Sequence, residues 1–293
     1  MNSSRPLQGI LLMILSMVFL PTKDGFAKIL GAYYSPLEVI WAQLFLMYLV
    51  LVPFIVWRYG FAMLWPRPFG IQVLRGVSAV VGIGLFYWAV LYIPLANTTA
   101  VYFLAPFVVT ALSPAVLQEK VGFRRWTAVI VGFLGVSIIL RPDIDGFNAG
   151  YGIALVGGFS IGIFYLLNRK LAGDSPPVVA LAHSVVIGAV LLSFAVPVVW
   201  VDPRAPDIMN ILYFVFFAIL GQGLLMASFV YAPASTIAPF QYFGIVSATA
   251  FGYFVFGEMP DAWTWIGIAV ICSSGIYIAV REGRVKAVEQ ETA

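Results

Sequence analysis

The chain is poor in the residues that usually carry metal binding and catalysis. Its 293 residues include one cysteine, Cys272, and one histidine, His183. A single cysteine excludes an intramolecular disulfide framework and a cysteine-based zinc site, and a single histidine excludes a histidine cluster. No G-x-x-x-x-G-K-[ST] stretch occurs, so the usual ATP phosphate loop is excluded. We therefore expect no catalytic residues, no metal and no cofactor.

Charged residues are also scarce. Asp, Glu, Lys and Arg make up 10% of the chain, whereas they make up about a quarter of an average soluble domain. Hydrophobic residues make up 62%, and the mean hydropathy is +0.98. So few charges cannot cover the surface of a soluble globule, and lipid is therefore the predicted solvent. The net charge of +3 is too small to indicate a nucleic-acid partner.

The apolar residues form ten segments of roughly the 20 residues that a helix needs to cross a bilayer. Pro94 and Pro233 separate neighbouring segments, because proline removes a backbone donor and ends a helix. If both termini are cytoplasmic, most of the 16 Lys and Arg residues fall on the cytoplasmic side, as the positive-inside rule expects. The predicted segments cover approximately residues 8–29, 37–57, 71–92, 97–117, 125–140, 151–169, 177–199, 208–230, 236–256 and 262–280.

One motif occurs twice, about 140 residues apart. "VLQEKVGFRRW" (residues 116–126) and "VFGEMPDAWTW" (residues 255–265) each place a tryptophan shortly after a glutamate, at the same spacing. Ser-Pro pairs at Ser35 and Ser175 have nearly the same offset. Five spans per copy, an odd number, would invert the second copy, which explains why one motif is basic and the other acidic. An inverted repeat indicates alternating access around a central site.

The repeated stretches carry a family resemblance. "ANTTAVYFLAPFVVTALSPAVLQEKVGFRRWTAVIVGFLGVSIILRP" (residues 96–142) resembles the end of an EamA-like domain of the drug/metabolite transporter superfamily. "APFQYFGIVSATAFGYFVFGEMPDAWTWIGIAVICSSGIYIAVRE" (residues 238–282) resembles a second copy, and "DGFAKIL" (residues 24–30) resembles the end of the family's first helix. Many relatives have an arginine in helix 2 where this chain has Gln43, so an anionic group would be bound differently here.

The resemblance implies an all-α integral membrane protein of ten transmembrane helices in two inverted five-helix repeats, with both termini cytoplasmic. It implies a cavity lined by helices 1–4 and 6–9, with helices 5 and 10 at the periphery. We expect the first repeat at residues 1–142, the second at 143–282 and a short cytoplasmic tail at 283–293. Similar carriers move riboflavin, S-adenosylmethionine or amino-acid-like metabolites across bacterial membranes.

Polar side chains within spans are costly and usually face the bundle interior. Asp24 and Lys28, four residues apart, share a helix face and are predicted to form a gating ion pair, or else to lie together among the lipid headgroups. Gln43 and His183 follow the two Ser-Pro pairs at equal distances, so they are repeat equivalents. Aromatic and amide side chains complete the predicted substrate-binding set, which comprises Gln43, Tyr87, Trp88, Tyr102, His183, Gln222, Gln241 and Tyr242.

Ordinary structural roles remain open for several of these residues. His183 and the tyrosines can be packing residues, and Arg75, near the end of helix 3, is predicted to anchor to headgroups. Glu119 and Glu258 are predicted to cap helix ends. Small residues in helices 5 and 10 predict close helix packing, and contact between two copies of the chain stays open.

The predicted function is a secondary carrier that moves a small organic metabolite across the bacterial inner membrane. An intramembrane lipid-modifying enzyme is an alternative that needs a catalytic constellation the sequence does not offer. A passive channel is another, and it needs a continuous polar stripe where only isolated polar residues occur.

Overall fold

The computed structural model describes residues 6–119, 121–140 and 148–291, with side-chain positions except at 234–235 and 279–291. All regular structure in these ranges is helical. The predicted boundary between repeats, at residues 142 and 143, and the last two residues of the predicted tail lie outside them. The helices are α1 (Pro6–Leu30), α2 (Pro36–Tyr59), α3 (Phe69–Ala89), α4 (Leu95–Tyr102), α5 (Ala105–Leu117), α6 (Phe123–Leu140), α7 (Ala149–Lys170), α8 (Pro177–Ala195), α9 (Ile208–Tyr231), α10 (Ala234–Ile237), α11 (Phe243–Phe256) and α12 (Ala262–Glu291).

Within the described residues, eight helical stretches are long and apolar enough to cross a membrane. They correspond to the first eight predicted segments, and α4 with α5 forms one of them, Leu95–Leu117. The ninth predicted segment is not one continuous helix, because a 3-10 turn, Ala238–Tyr242, separates α10 from α11. In α12 the apolar stretch Ala262–Ile278 is shorter than the other eight. The chain is a multi-pass membrane protein.

The fourth and ninth segments are interrupted at corresponding places. Helix α4 ends at Tyr102 and α5 begins at Ala105, while the second interruption ends at Tyr242. Phe103 at the first interruption stacks on Tyr242 at the second, with ring centroids 4.6 Å apart and planes 27° apart. The two irregular segments therefore meet, and their stacked rings belong to half-buried residues.

Helix packing follows the sequence repeat. Helix α1 packs on α9 as α7 packs on α3, and α11 packs on α1 as α5 packs on α7. Two glycines at corresponding positions allow this close approach: a Cβ on Gly82 would lie 2.6 Å from Ile161, and one on Gly221 would lie 2.9 Å from Leu20. Helices α2 and α8 pack on each other, as do α6 and α12.

Helices α6 and α12 approach each other at small residues, as the sequence predicted. A Cβ on Gly267 would lie 2.7 Å from the carbonyl oxygen of Gly135 and 2.5 Å from a side-chain carbon of Ile139. Ser274 Oγ donates to the carbonyl oxygen of Ala128 at 2.5 Å. The absence of a side chain at Gly267 therefore lets two backbones approach closely.

We expect Gly267→Ala to lower the free energy of unfolding by about 1–3 kcal/mol, the usual cost of overpacking. The matched control is Gly223→Ala on α9, where no heavy atom lies within 4 Å of the added Cβ. That substitution should be neutral, or stabilising by up to about 1 kcal/mol through helix propensity. Thermal unfolding of both variants in detergent measures the difference, and equal midpoints would contradict the packing described here.

Candidate functional site

Four polar side chains from α1, α2 and α3 form a connected chain, here called the central cluster: Lys23, Asp24, Tyr87 and Gln43. Lys23 Nζ lies 2.5 Å from Asp24 Oδ1 and donates to the Tyr87 hydroxyl at 2.8 Å. The Tyr87 hydroxyl donates to Gln43 Oε1 at 2.5 Å. Each polar group is therefore satisfied by its neighbour, which makes burial of the charges tolerable.

The central cluster is shielded by aromatic rings. Lys23, Gln43 and Tyr87 are 8%, 7% and 1% exposed. The ring of Tyr87 lies 5.9 Å from that of Phe214, and Phe86 makes an edge contact of 4.8 Å with Tyr102. A cation, a carboxylate, a phenol and an amide are thus held between aromatic walls.

The predicted ion pair between Asp24 and Lys28 is replaced by two others. Asp24 pairs with Lys23, its neighbour in sequence, and Lys28 pairs with Glu258 at the end of α11. Lys23 is also buried. The four-residue spacing identified a shared helix face, but Asp24 pairs with its sequence neighbour, and Lys28 pairs with a residue distant in sequence.

The Lys28–Glu258 pair closes one end of the bundle. Glu258 Oε2 also accepts the backbone N–H of Leu95, the first residue of α4, at 3.2 Å. Lys28 Nζ lies 3.5 Å from the carbonyl oxygen of Ile93. The end of α1, the start of α4 and the end of α11 are joined there. Glu258 does serve a helix end, as predicted, and its ion pair is the part that sequence reasoning missed.

The repeat-equivalent glutamate forms the corresponding pair. Glu119 Oε1 lies 2.8 Å from Arg169 at the end of α7. Each glutamate follows a residue with a left-handed backbone, Gln118 at φ 57° and Gly257 at φ 68°, which ends its helix and turns the chain. Basic residues at the ends of α1 and α7, at nearly the same offset as the glutamates, were the sequence signal for both pairs.

The two pairs differ in exposure. The side chains of Lys28 and Glu258 are 14% and 24% exposed, whereas those of Arg169 and Glu119 are 35% and 34% exposed. The first pair lies at the start of the span formed by α4 and α5, and Glu119 follows the end of that span. The pairs therefore lie at opposite ends of the bundle, and the Lys28 end is the more tightly shielded.

The remaining predicted residues lie at several places. Tyr102 donates to the carbonyl oxygen of Gly82 at 2.6 Å and adjoins the central cluster through Phe86. Trp88 lies on the outer face of α3 with 38% of its surface exposed, so it does not join the cluster. The structure thus brings together Asp24, Gln43 and Tyr87, with Tyr102 beside them. Three further predicted residues are half-buried elsewhere on the second half of the chain, namely Gln222, Gln241 and Tyr242.

His183 belongs to a second polar group, on α3 and α8. His183 Nε2 lies 2.8 Å from the carbonyl oxygen of Met63, and Arg75 donates to that of Ala180 at 2.6 Å. Arg75 is 1% exposed, so the prediction that it anchors to headgroups is wrong. Twelve residues of α3 separate Arg75 from Tyr87, a distance of about 18 Å along the helix. Within the described ranges, no group of His, Cys, Asp and Glu is arranged to hold a metal ion.

Tyr87→Phe should lower the free energy of unfolding by about 1–3 kcal/mol, because the buried Gln43 Oε1 loses its donor and Lys23 loses an acceptor. Tyr253→Phe is the control, since Tyr253 is 53% exposed on α11. Thermal unfolding in detergent compares the two substitutions, which remove the same atom. A loss of similar size in both variants would show that the Tyr87 hydroxyl is not a buried link.

Comparison with known proteins agrees with this architecture. The EamA-like transporter family model matches residues 7–141 and 148–280. An S-adenosylmethionine uptake transporter of Rickettsia prowazekii (strain Madrid E) is 26% identical over 282 residues, 94% of each chain. A riboflavin transporter of Vibrio cholerae serotype O1 is 31% identical over 215 residues, 72% of each chain. One crystal structure superposes with a TM-score of 0.61 over 96% of each chain at 17% identity, a likeness of fold alone. The two matches of the family model, together with these relatives, show that the chain belongs to the EamA-like transporter family.

Proposed function

We propose that this protein is a secondary carrier that moves a small organic metabolite across the bacterial inner membrane by alternating access. The observation that carries the proposal is the pair of repeat-equivalent ion pairs, Lys28–Glu258 and Arg169–Glu119, at opposite ends of one bundle. Each joins a glutamate of one half of the chain to a base of the other half. If the two ion pairs broke in turn, the centre of the bundle would open to one side of the membrane at a time.

The proposed topology has ten spans, in which α4 with α5 and α10 with α11 are the two interrupted ones, in two inverted repeats divided near residue 142. With both termini cytoplasmic, the Lys28–Glu258 pair faces the outside and the Arg169–Glu119 pair faces the cytoplasm. Their unequal exposure fits a state in which the outer end is the more closed. The positive-inside distribution of Lys and Arg supports this orientation.

The central cluster is the proposed substrate station. A substrate with polar groups would replace the hydrogen bonds among Lys23, Tyr87 and Gln43, and the rings of Tyr102 and Phe214 would lie beside it. Relatives named for S-adenosylmethionine and riboflavin both handle a metabolite with an aromatic heterocycle. We propose a substrate of this class, for which aromatic walls with a few polar groups are suited.

Counterflow in proteoliposomes tests the carrier proposal. Vesicles loaded with unlabelled S-adenosylmethionine or riboflavin should accumulate the same labelled compound transiently above its outside concentration. Unlabelled substrate inside the vesicle occupies the returning site and competes with efflux of the label, so counterflow identifies a carrier. Protein-free vesicles are the control. Uptake proportional to concentration without counterflow would indicate a channel, and chemically altered substrate would indicate an enzyme.

Removing one ion pair at a time should shift the conformational equilibrium in opposite directions. Glu258→Gln weakens the Lys28 closure, and Glu119→Gln weakens the Arg169 closure, with little change in side-chain size. The reporter is Ala42→Cys, a half-buried neighbour of Gln43, in a Cys272→Ser background that carries no other cysteine. A membrane-impermeant maleimide should label the Glu258→Gln variant faster from outside and the Glu119→Gln variant faster from inside. Equal changes from both sides would contradict the two-closure mechanism.

A further inference from the structure

The second polar group, on α3 and α8, contains three buried atoms that have no hydrogen-bond partner within the described residues. They are Gln72 Oε1, Arg75 Nε and His183 Nδ1. Gln72, Arg75 and His183 are 1%, 1% and 5% exposed. Gln72 and Arg75 lie one turn apart on α3, and Arg75 bonds to Ala180, one turn before His183 on α8. A buried polar atom without a partner costs free energy, so three of them on these adjoining turns indicate a missing binding partner.

The other contacts of these side chains fix what each free atom offers. Gln72 Nε2 donates to the carbonyl oxygen of Arg67 at 3.2 Å, so its unpartnered atom is the acceptor oxygen. His183 Nε2 faces the carbonyl oxygen of Met63, which only accepts, so Nε2 carries the proton and Nδ1 of the neutral ring is an acceptor. Arg75 Nε is a donor on a cation. The group therefore presents one cationic donor and two acceptors.

The charge of Arg75 points to an anion. The ion pairs formed by side chains in the described ranges leave this guanidinium without a carboxylate, and its described bond is to the neutral carbonyl of Ala180. A buried cation without a counter-charge is costly. A ligand carboxylate at Arg75 would supply the charge, and an ammonium on the same ligand would supply donors to the two acceptors.

In the sequence repeat, the second polar group occupies positions that correspond to positions in and beside the central cluster. His183 corresponds to Gln43, and Arg75 corresponds to Phe214, whose ring lies 5.9 Å from that of Tyr87. The two polar groups thus lie at repeat-equivalent positions along the proposed substrate path. They are about 18 Å apart along α3. Lys23 and Asp24 neutralise each other in the first, whereas Arg75 stays unpaired in the second.

We infer, on the basis of the proposed transport function, that Gln72, Arg75 and His183 bind the zwitterionic headgroup of an α-amino-acid substrate. The carboxylate accepts a hydrogen bond from Arg75 Nε, and the ammonium donates to Gln72 Oε1 and His183 Nδ1. S-adenosylmethionine has this headgroup and riboflavin does not. The site thus selects the amino-acid class among aromatic metabolites. A buried water molecule is the competing occupant.

Binding of three compounds to the purified full-length protein in detergent tests the assignment. They are S-adenosylmethionine, 5′-methylthioadenosine, which keeps the nucleoside and lacks the headgroup, and riboflavin. The unmodified protein should bind S-adenosylmethionine at least about tenfold more tightly than 5′-methylthioadenosine, as charged hydrogen bonds would give. Arg75→Lys keeps the charge and removes Nε. His183→Gln keeps a donor for Met63 and removes the Nδ1 acceptor.

Both variants should lose about tenfold in affinity for S-adenosylmethionine and bind 5′-methylthioadenosine unchanged. Arg58→Gln, which removes an exposed base from α2, is the charge control and should alter neither affinity. Equal affinities for the two compounds in the unmodified protein, or equal losses of both in the variants, would overturn the headgroup site and indicate a water-filled structural group.

The counterflow assay, combined with the binding measurement, separates this inference from the carrier proposal. Counterflow with S-adenosylmethionine that is unchanged by Arg75→Lys would leave the carrier standing and overturn the headgroup site. Absence of counterflow with every compound would overturn the carrier, while the comparison of S-adenosylmethionine with 5′-methylthioadenosine would still decide the headgroup site.

Discussion

Lys23 and Asp24 put a positive and a negative charge on adjacent residues of a helix that packs inside a membrane protein. Hydrocarbon offers such charges no partner, so the bundle must supply one. It does so through the 2.5 Å pair itself and through the hydroxyl of Tyr87, which in turn bonds to Gln43. These contacts link α1 to α3 and α3 to α2. The relative positions of the three helices therefore depend on keeping one ammonium group satisfied.

The scaffold repeats more faithfully than its polar interior does. Equivalent glutamates find equivalent bases at the two ends, and equivalent glycines, Gly82 and Gly221, admit equivalent neighbours. The stretch of α7 that corresponds to Lys23 and Asp24, residues 163–165, carries no charge. The buried charge beside His183 of the second half is instead that of Arg75, which lies on α3 of the first half. A solute crossing the bundle would meet different chemistry at each homologous position, although the surrounding helices are alike.

The length of the hydrophobic runs predicted the first eight spans, because each span must cross about the same thickness of lipid. It could not reveal the interruption at residues 238–242, since a 3-10 turn inside protein is as apolar as a helix. Helical spacing placed Asp24 and Lys28 on one face, but the partner of Lys28 lies 230 residues away, and only tertiary packing brings Glu258 to it. Arg75 was expected at the surface because most arginines near span ends lie there. Its burial depends on α8, which no local pattern specifies.

The stack of Phe103 on Tyr242 has a property that the ion pairs lack. Its two members occupy corresponding positions of the two halves, so an exchange of conformation between the halves maps the contact onto itself. The same holds for α2 against α8 and for α6 against α12. Under the proposed alternating access, a contact of this kind would contribute equally to both states. Substitutions at such symmetric contacts would change the stability of the interface between the halves. The balance between the two proposed states would be set by contacts that differ between them, such as the ion pairs.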